Sequence, residues 1–390
     1  MLLGVLKDIK KGENRVILTP GEVSSCVADG HKVYVEFDAG AAAGFPDEEY
    51  IAAGAVMKTQ KEIYGECDMV VKVKEIEPSE YDLLRENQII YTCVHPAAHR
   101  EEVDALLEKK VISFAAEDTH RYGSPNCEAA GKAGAFMGLY AMMSFNGGMG
   151  KFVSGLGSAP GVHALVLGCG TVGKGAIEVL HTMGAWVTVA ATNIGHLREL
   201  SYNYDARVNT MISNPYNLKK LLPQVDMVVN CVRWDKSNTQ YMIDREMVRS
   251  MKKGAVIVDI SNDVGAIETF RETTHEDPMY IEEGVVHYCV GNIPSAIAHS
   301  TSIAYAAGIQ KHIRSILNNG VAEACVRDGY LRRGMVTYKG YLTHEETSGI
   351  QNRPWIQPEK ILGIENKELD PAPRNTVTRS SNYYDTYPKG

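Results

Sequence analysis

Four side chains that carry or exchange charge stand at or near the ends of apolar runs: Arg15, Lys74, His95 and Asp263. The ends of strands are where an open parallel sheet binds its ligands. A guanidinium offers a planar fork to a carboxylate. A lysine ammonium places a point charge on a carboxylate or carbonyl oxygen. An imidazole titrates near neutrality and passes a proton. An aspartate holds an ammonium or orients a water. Taken singly, Arg15 and Lys74 read as solvated charges, and Asp263 as a cap on the turn before Gly265. Their common placement favours a shared chemical role. A second constellation is the stretch ALVLGCGTVG at 164–173, where Gly168, Gly170 and Gly173 have GxGxxG spacing. An apolar strand, a tight glycine turn and a helix N-terminus form the usual cradle for a dinucleotide pyrophosphate.

The elements that must position these groups follow from the pattern of apolar runs. Strands are expected at 2–6, 32–37, 69–73, 88–94 and 111–116, with short helices between, so the first part is a parallel α/β domain. Residues 127–144 read as one long helix leaving it. Further strands are expected at 164–167, 187–190, 227–232, 255–260 and 285–290, separated by helical stretches that include 243–251, a doubly wound pattern. Helices at 302–316 and 321–327 lie beyond it. The fold class is therefore α/β, with two Rossmann-like domains built on parallel sheets. A substrate domain takes 1–128 plus about 305–390, and a dinucleotide-binding domain takes 129–304. Residues from about 341 to 390 hold five prolines and Asn/Ser/Thr runs. They read as a draped or unstructured extension.

Composition narrows the partners. The chain has 390 residues, 44% of them hydrophobic, and a net charge of -8. That supports a full core, and no basic block suggests nucleic acid. No apolar run is long enough for a membrane span, and no signal peptide is expected. The eight cysteines are scattered without a C-x-x-C or a zinc-like cluster, so no metal is expected. Buried free thiols in the cytoplasm are the simplest reading.

In ENRVILTP (13–20), MVVKVKE (69–75), YTCVHPAA (91–98), LGCGTVG (167–173), GAVIVDISND (254–263) and VVHYCVGNIPSAIAHSTS (285–302), the sequence resembles the alanine dehydrogenase family. That family shares its domains with the soluble NAD(H)-binding part of proton-translocating transhydrogenase. The motifs run collinearly over roughly residues 1–340. The resemblance implies an oxidoreductase that interconverts an L-amino acid with its 2-oxo acid and ammonia, its active site in the cleft between two domains. It implies that Arg15 clamps the carboxylate and that Lys74 holds the carboxylate or carbonyl oxygen. His95 exchanges protons with the carbinolamine oxygen, and Asp263 positions amine and water. It also implies a homo-oligomer, a dimer or hexamer.

Departures from the family pattern concern both cofactor and substrate. The acid expected on the adenosine ribose, at the end of the second nucleotide-domain strand, is Ala191 here. NAD loses a hydrogen-bonding partner there, and a 2'-phosphate loses a repulsive one. Thr192, Asn193, His196 and Arg198 are candidates to meet such a phosphate, so the cofactor is NAD or NADP. Thr171, Val172, Cys231, Val232 and Asn292 complete the candidate cofactor set. In the pocket, Cys93 stands for a tyrosine, Asn126-Cys127 for Met-Ser, and His299 for an arginine. Cys93 and Asn126 are thus expected substrate contacts suited to something other than alanine. Two alternatives stay open: a reductase that condenses a 2-oxo acid or reduces an imine with an amine other than ammonia, and a non-catalytic NAD(P)-binding module.

Overall fold

The computed structural model describes residues 1–234, 238, 240–262 and 265–373. The chain divides into two compact units. One is built from Met1–Pro125 and from the chain beginning at Ala298, the other from Asn126–Ile297. The first unit opens with strands β1 (Leu2–Val5), β2 (Lys32–Glu36), β3 (Val56–Lys58), β4 (Met69–Val71), β5 (Ile89–Thr92) and β6 (Ile112–Ala115). The second carries β7 (His163–Leu167), β8 (Trp186–Ala191), β9 (Val208–Ile212), β10 (Met227–Asn230), β11 (Val256–Asp259), β12 (Met279–Glu282) and β13 (Val285–Tyr288). The chain then returns for β14 (Met335–Tyr338) and β15 (Tyr341–Leu342).

In the first unit the sheet runs β3-β2-β1-β4-β5-β6-β14-β15. Its first six strands are parallel, and β14 and β15 add antiparallel at one edge. Successive residues of a strand face opposite sides, and here both sides are buried. Met69, Val71, Ile89 and Tyr91 pack into one core layer, and Val70 and Ile90 into another. Because strand order reverses between β1 and β4, the loops leaving those two strands open a crevice.

The second unit repeats the plan. Its sheet runs β9-β8-β7-β10-β11-β13-β12, parallel except for β12 at the edge. Val166, Val189, Val229 and Val258 fill one layer, and Leu165, Val228 and Ile257 the other. Each such side chain contributes about 1.5–3 kcal/mol by leaving water. The order reverses between β7 and β10, so the turn after β7 and the residues after β10 flank this unit's crevice. Both units are thus Rossmann-like sheets.

Several elements differ from expectation. Strands β3, β9 and β12 are edge strands with partly exposed residues, so they lack a continuous apolar run. The helix expected at 302–316 is Ala298–Asn319, and Tyr305, Ala306, Ile309 and Ile313 bury into the first unit's core. The return to that unit therefore comes at 298 rather than near 305. The expected extension is corrected over 341–373. It forms β15 and the helices Glu345–Gln351 and Pro358–Ile361, with Leu342, Thr343, His344 and Thr347 buried. Residues 374–390 lie outside the described residues.

Candidate active site

Arg15, Lys74 and His95 leave the first sheet on the loops after β1, β4 and β5. The first two loops are tied together by Asp8, which accepts the Lys10 N–H at 3.0 Å and the Lys74 N–H at 2.7 Å. Arg15 is buried and held by Glu13. Its Nε donates to Glu13 Oε1 at 2.7 Å, Nη2 to Oε2, and its own backbone N–H to Oε1 at 2.9 Å. Burial works against the guanidinium charge. The Glu13 carboxylate more than offsets it and raises the Arg15 pKa above its ordinary value.

Glu75 organises the other two. Its carboxylate accepts from Lys10 Nζ at 2.9 Å and from His95 Nδ1 at 2.8 Å, and it lies 4.0 Å from Lys74 Nζ. Burial alone would raise its pKa. The hydrogen bond from His95 and the charges of Lys74, His95 and Lys10 reverse this and hold it far below the usual carboxylate range. An ionised Glu75 requires the proton of neutral His95 on Nδ1, which leaves Nε2 as the basic nitrogen.

The backbone of His95 is also constrained. It takes the left-handed region at φ 45°, and its N–H donates to Glu117 Oε1 at 2.5 Å. Burial disfavours the imidazolium, and the Glu117 and Glu75 carboxylates outweigh it, so His95 titrates above an ordinary histidine. Its side chain is 42% exposed, so the ring is held on one edge and open on another.

Cys93 is buried, and its Sγ lies 3.0 Å from the Tyr305 hydroxyl. Burial pushes its thiol far above the ordinary range, so it stays neutral and is no nucleophile. Asn126 belongs to the second unit, at the start of helix Pro125–Ala141. Asp263 lies outside the described residues. Just before it, Asn262 takes φ 54° and donates its N–H to Asp259 Oδ1 at 3.1 Å, and the same oxygen accepts from Asn230 Nδ2 at 3.1 Å.

In the second unit the glycine turn has the shape a pyrophosphate needs. Gly168 takes φ 86° directly after β7. A Cβ on Gly173 would sit 2.2 Å from the Gly168 carbonyl oxygen, so the helix can lie this close only without a side chain. Gly170 caps helix Thr171–Thr182, and a Cβ there would meet nothing within 4 Å, so its outer face is open. These residues fit a dinucleotide phosphate bridge at a helix N-terminus.

Beside the turn is a pocket of about 180 Å³. Of the expected cofactor residues, Gly168, Gly170, Ala191, Thr192, Asn193 and Val232 line it. Thr171, Val172, Gly173, Cys231, Asn292 and Arg198 do not. Val172 turns its carbonyl toward Gly131 of the neighbouring helix, where a Cβ would come within 2.0 Å. Arg198 is exposed on helix Ile194–Asn203. Asn292 takes φ 63° after β13, and its carbonyl lies 3.3 Å from His275 Nε2. His196, also a candidate for the phosphate, lines the pocket too, and the lining adds Cys169, Ala190, Ser213, Trp234 and Met242. Sequence reasoning also missed Glu13, Glu75 and Glu117. The first two lie within two residues of Arg15 and Lys74, which is a usable signal. Glu117 lies 22 positions from the His95 it holds.

The comparisons agree with this geometry. Residues 4–126 match the family model "Alanine dehydrogenase/PNT, N-terminal domain", and residues 134–345 match its C-terminal counterpart. The chain is 36% identical to an alanine dehydrogenase of Methanococcus maripaludis over 371 residues, 93% of this chain and 100% of that protein. It is 35% identical to alanine dehydrogenase 2 of Staphylococcus aureus over 372 residues, again 93% and 100%. A solved L-alanine dehydrogenase superposes with a TM-score of 0.84 at 30% identity, covering 90% of this chain and 99% of that one. A transhydrogenase from Sinorhizobium meliloti, at 19% identity, shares the fold with a TM-score of 0.76 over 88% and 100%.

Proposed function

The chain belongs to the alanine dehydrogenase/PNT family, and we propose that it interconverts an L-amino acid other than simple alanine with its 2-oxo acid and ammonia. It is an oxidoreductase that works with NAD or NADP, and the nicotinamide, when bound, supplies the acceptor or donor of the Cα hydride. The observation that carries the reading is His95, held at Nδ1 by Glu75 and at its backbone N–H by Glu117. A binding module for NAD(P) has no use for a histidine fixed in a constrained backbone by two carboxylates.

The residues divide the work as follows. Arg15, oriented by the Glu13 fork, binds the substrate carboxylate. Lys74 places its ammonium on the carboxylate or on the oxygen at the reacting carbon. In deamination the amino acid is oxidised to an imine, and water adds to the imine carbon. Nε2 of His95 exchanges protons with the oxygen of the resulting carbinolamine as the C–N bond breaks. Asp263 holds the amine and the incoming water. The protein's share is orientation and charge placement.

Cys93 and Asn126 are the proposed substrate contacts that set the side-chain preference. A panel of 2-oxo acids with ammonium, and then with larger amines, tests the reading. Turnover with ammonium supports it. Turnover only with larger amines favours the imine-reductase alternative. All eight cysteines are free thiols, which supports a cytoplasmic location, and assembly as a homo-oligomer goes with this reading. Among the described residues no helix is long and apolar enough to cross a membrane.

A pH profile checks the role of His95. In deamination the neutral imidazole is the active form, so kcat/KM rises as pH climbs through its pKa. That limb is expected at higher pH than for an ordinary histidine, because two carboxylates favour the imidazolium. Glu75→Gln removes one of them and moves the acid limb to lower pH by about one unit. A limb that stays in place would show that another group titrates.

A further inference from the structure

The geometry points to a 2'-phosphate subsite at the ends of β8 and β9, so that this chain takes NADPH in preference to NADH. The inference rests on the nicotinamide reading above and concerns the adenosine end of the same pocket. An NAD-specific site places an acid about 20 residues past the glycine turn, at the end of the second strand, where it bonds the ribose hydroxyls. That strand here is β8, and it ends in Ala191. Among the described residues, none that lines the pocket is acidic. At the end of β8, then, a dianionic phosphate meets no carboxylate to repel it, and an NAD ribose finds none to bond.

What replaces the acid is a set of donors. Asn193 caps helix Ile194–Asn203 by accepting the His196 N–H at 3.1 Å. The Leu197 N–H goes to the Asn193 carbonyl at 3.1 Å. Between these two, the N–H groups of Ile194 and Gly195 make no hydrogen bond among the described residues, so the positive end of the helix is available to an anion. His196 lines the pocket on the same turn. The first acid of the helix, Glu199, stands outside the lining and is occupied by Lys174 Nζ at 3.2 Å.

Ser213 is an independent observation. It follows β9, and its N–H donates to the Ala191 carbonyl at 2.9 Å, which fixes it beside the end of β8. It lines the pocket and is only 6% exposed, and among the described residues its hydroxyl makes no hydrogen bond. A partnerless hydroxyl on a largely buried residue that lines a ligand pocket is open to an acceptor. A 2'-phosphate is an acceptor that also suits the helix end and the missing acid.

Equilibrium titration of the full-length protein with NADPH and with NADH, followed by nucleotide fluorescence at fixed ionic strength, tests the subsite without turnover. The parent protein is expected to bind NADPH at least about tenfold more tightly. Ser213→Ala should narrow that ratio by about fivefold or more through NADPH alone. Ala191→Asp should reverse it, because the new carboxylate repels the phosphate and bonds the ribose. NADH binding as tightly as NADPH, or more tightly, overturns the subsite and leaves the dehydrogenase reading intact. A ratio unmoved by Ser213→Ala overturns the assignment of Ser213 even if Ala191→Asp folds poorly. Failure of both nucleotides to bind overturns the nicotinamide reading and the subsite with it.

Discussion

Replacing His95 with alanine lowers kcat for deamination by about 10²–10⁴-fold, the usual worth of a positioned acid–base group. Affinity for the nicotinamide nucleotide stays near that of the parent protein. The asymmetry follows from where the groups lie. His95 stands on the loop after β5 in the first unit, whereas the glycine turn and its pocket are built within the second. The substitution carries a side effect, because residue 95 holds φ 45° and histidine adopts the left-handed region more readily than alanine. His95→Asn controls for it, since asparagine tolerates the left-handed region better. Steady-state kinetics beside a nucleotide titration checks both variants. Loss of turnover matched by loss of nucleotide binding would contradict the assignment, and so would a kcat within about tenfold of the parent.

Lys72→Met is expected to cost about 3–5 kcal/mol of stability, the largest structural effect proposed for a single substitution here. Lys72 is 0% exposed, with Nζ 2.7 Å from Glu80 Oε2. Glu80 is itself buried, and it accepts the Tyr64 hydroxyl at 3.1 Å and the Glu77 N–H at 2.8 Å. Removing the lysine leaves a carboxylate buried without its counter-charge. The double variant Lys72→Met, Glu80→Gln removes that charge as well and should recover much of the loss. Urea unfolding midpoints measure both. A single-variant loss below about 1 kcal/mol would place the pair in the class of ion pairs that contribute little.

The two lysines of MVVKVKE show where sequence reading stops. Both follow an apolar strand, two residues apart, and their types are identical. Lys72 is sealed against Glu80, while Lys74, on the loop after β4, lies 4.0 Å from Glu75 Oε1 and keeps part of its side chain exposed. Lys74 was legible because strand ends at a reversal of order bind ligands, and so were Arg15 and His95. Their carboxylate partners were not. Glu75 looks like one more charge after a strand until Lys10, Lys74 and His95 converge on it from three loops. Glu117 comes from beyond β6 and has no local signature.

The glycine turn was legible for a steric reason. Only the absence of a side chain permits the approach at Gly173, so the requirement is written in residue type. Ser213 was hidden because β9 is an edge strand with partly exposed residues and no apolar run. Once that strand was missed, the residue after it had no place in the crevice. Arg198 stands apart from the lining. Its charge suggested a phosphate contact, and its position on the helix puts it on the exposed face.

The central claim is that a hydride moves between a substrate Cα and a nicotinamide while nitrogen is exchanged at the same carbon. Reductive amination of a 2-oxo acid with ammonium and a reduced nicotinamide nucleotide deuterated at both C4 positions tests this most directly, with the product read by mass spectrometry and proton NMR. The account predicts an L-amino acid with one deuterium at Cα and none elsewhere. Deuterium-free product, or a hydroxy acid in place of the amino acid, would contradict it.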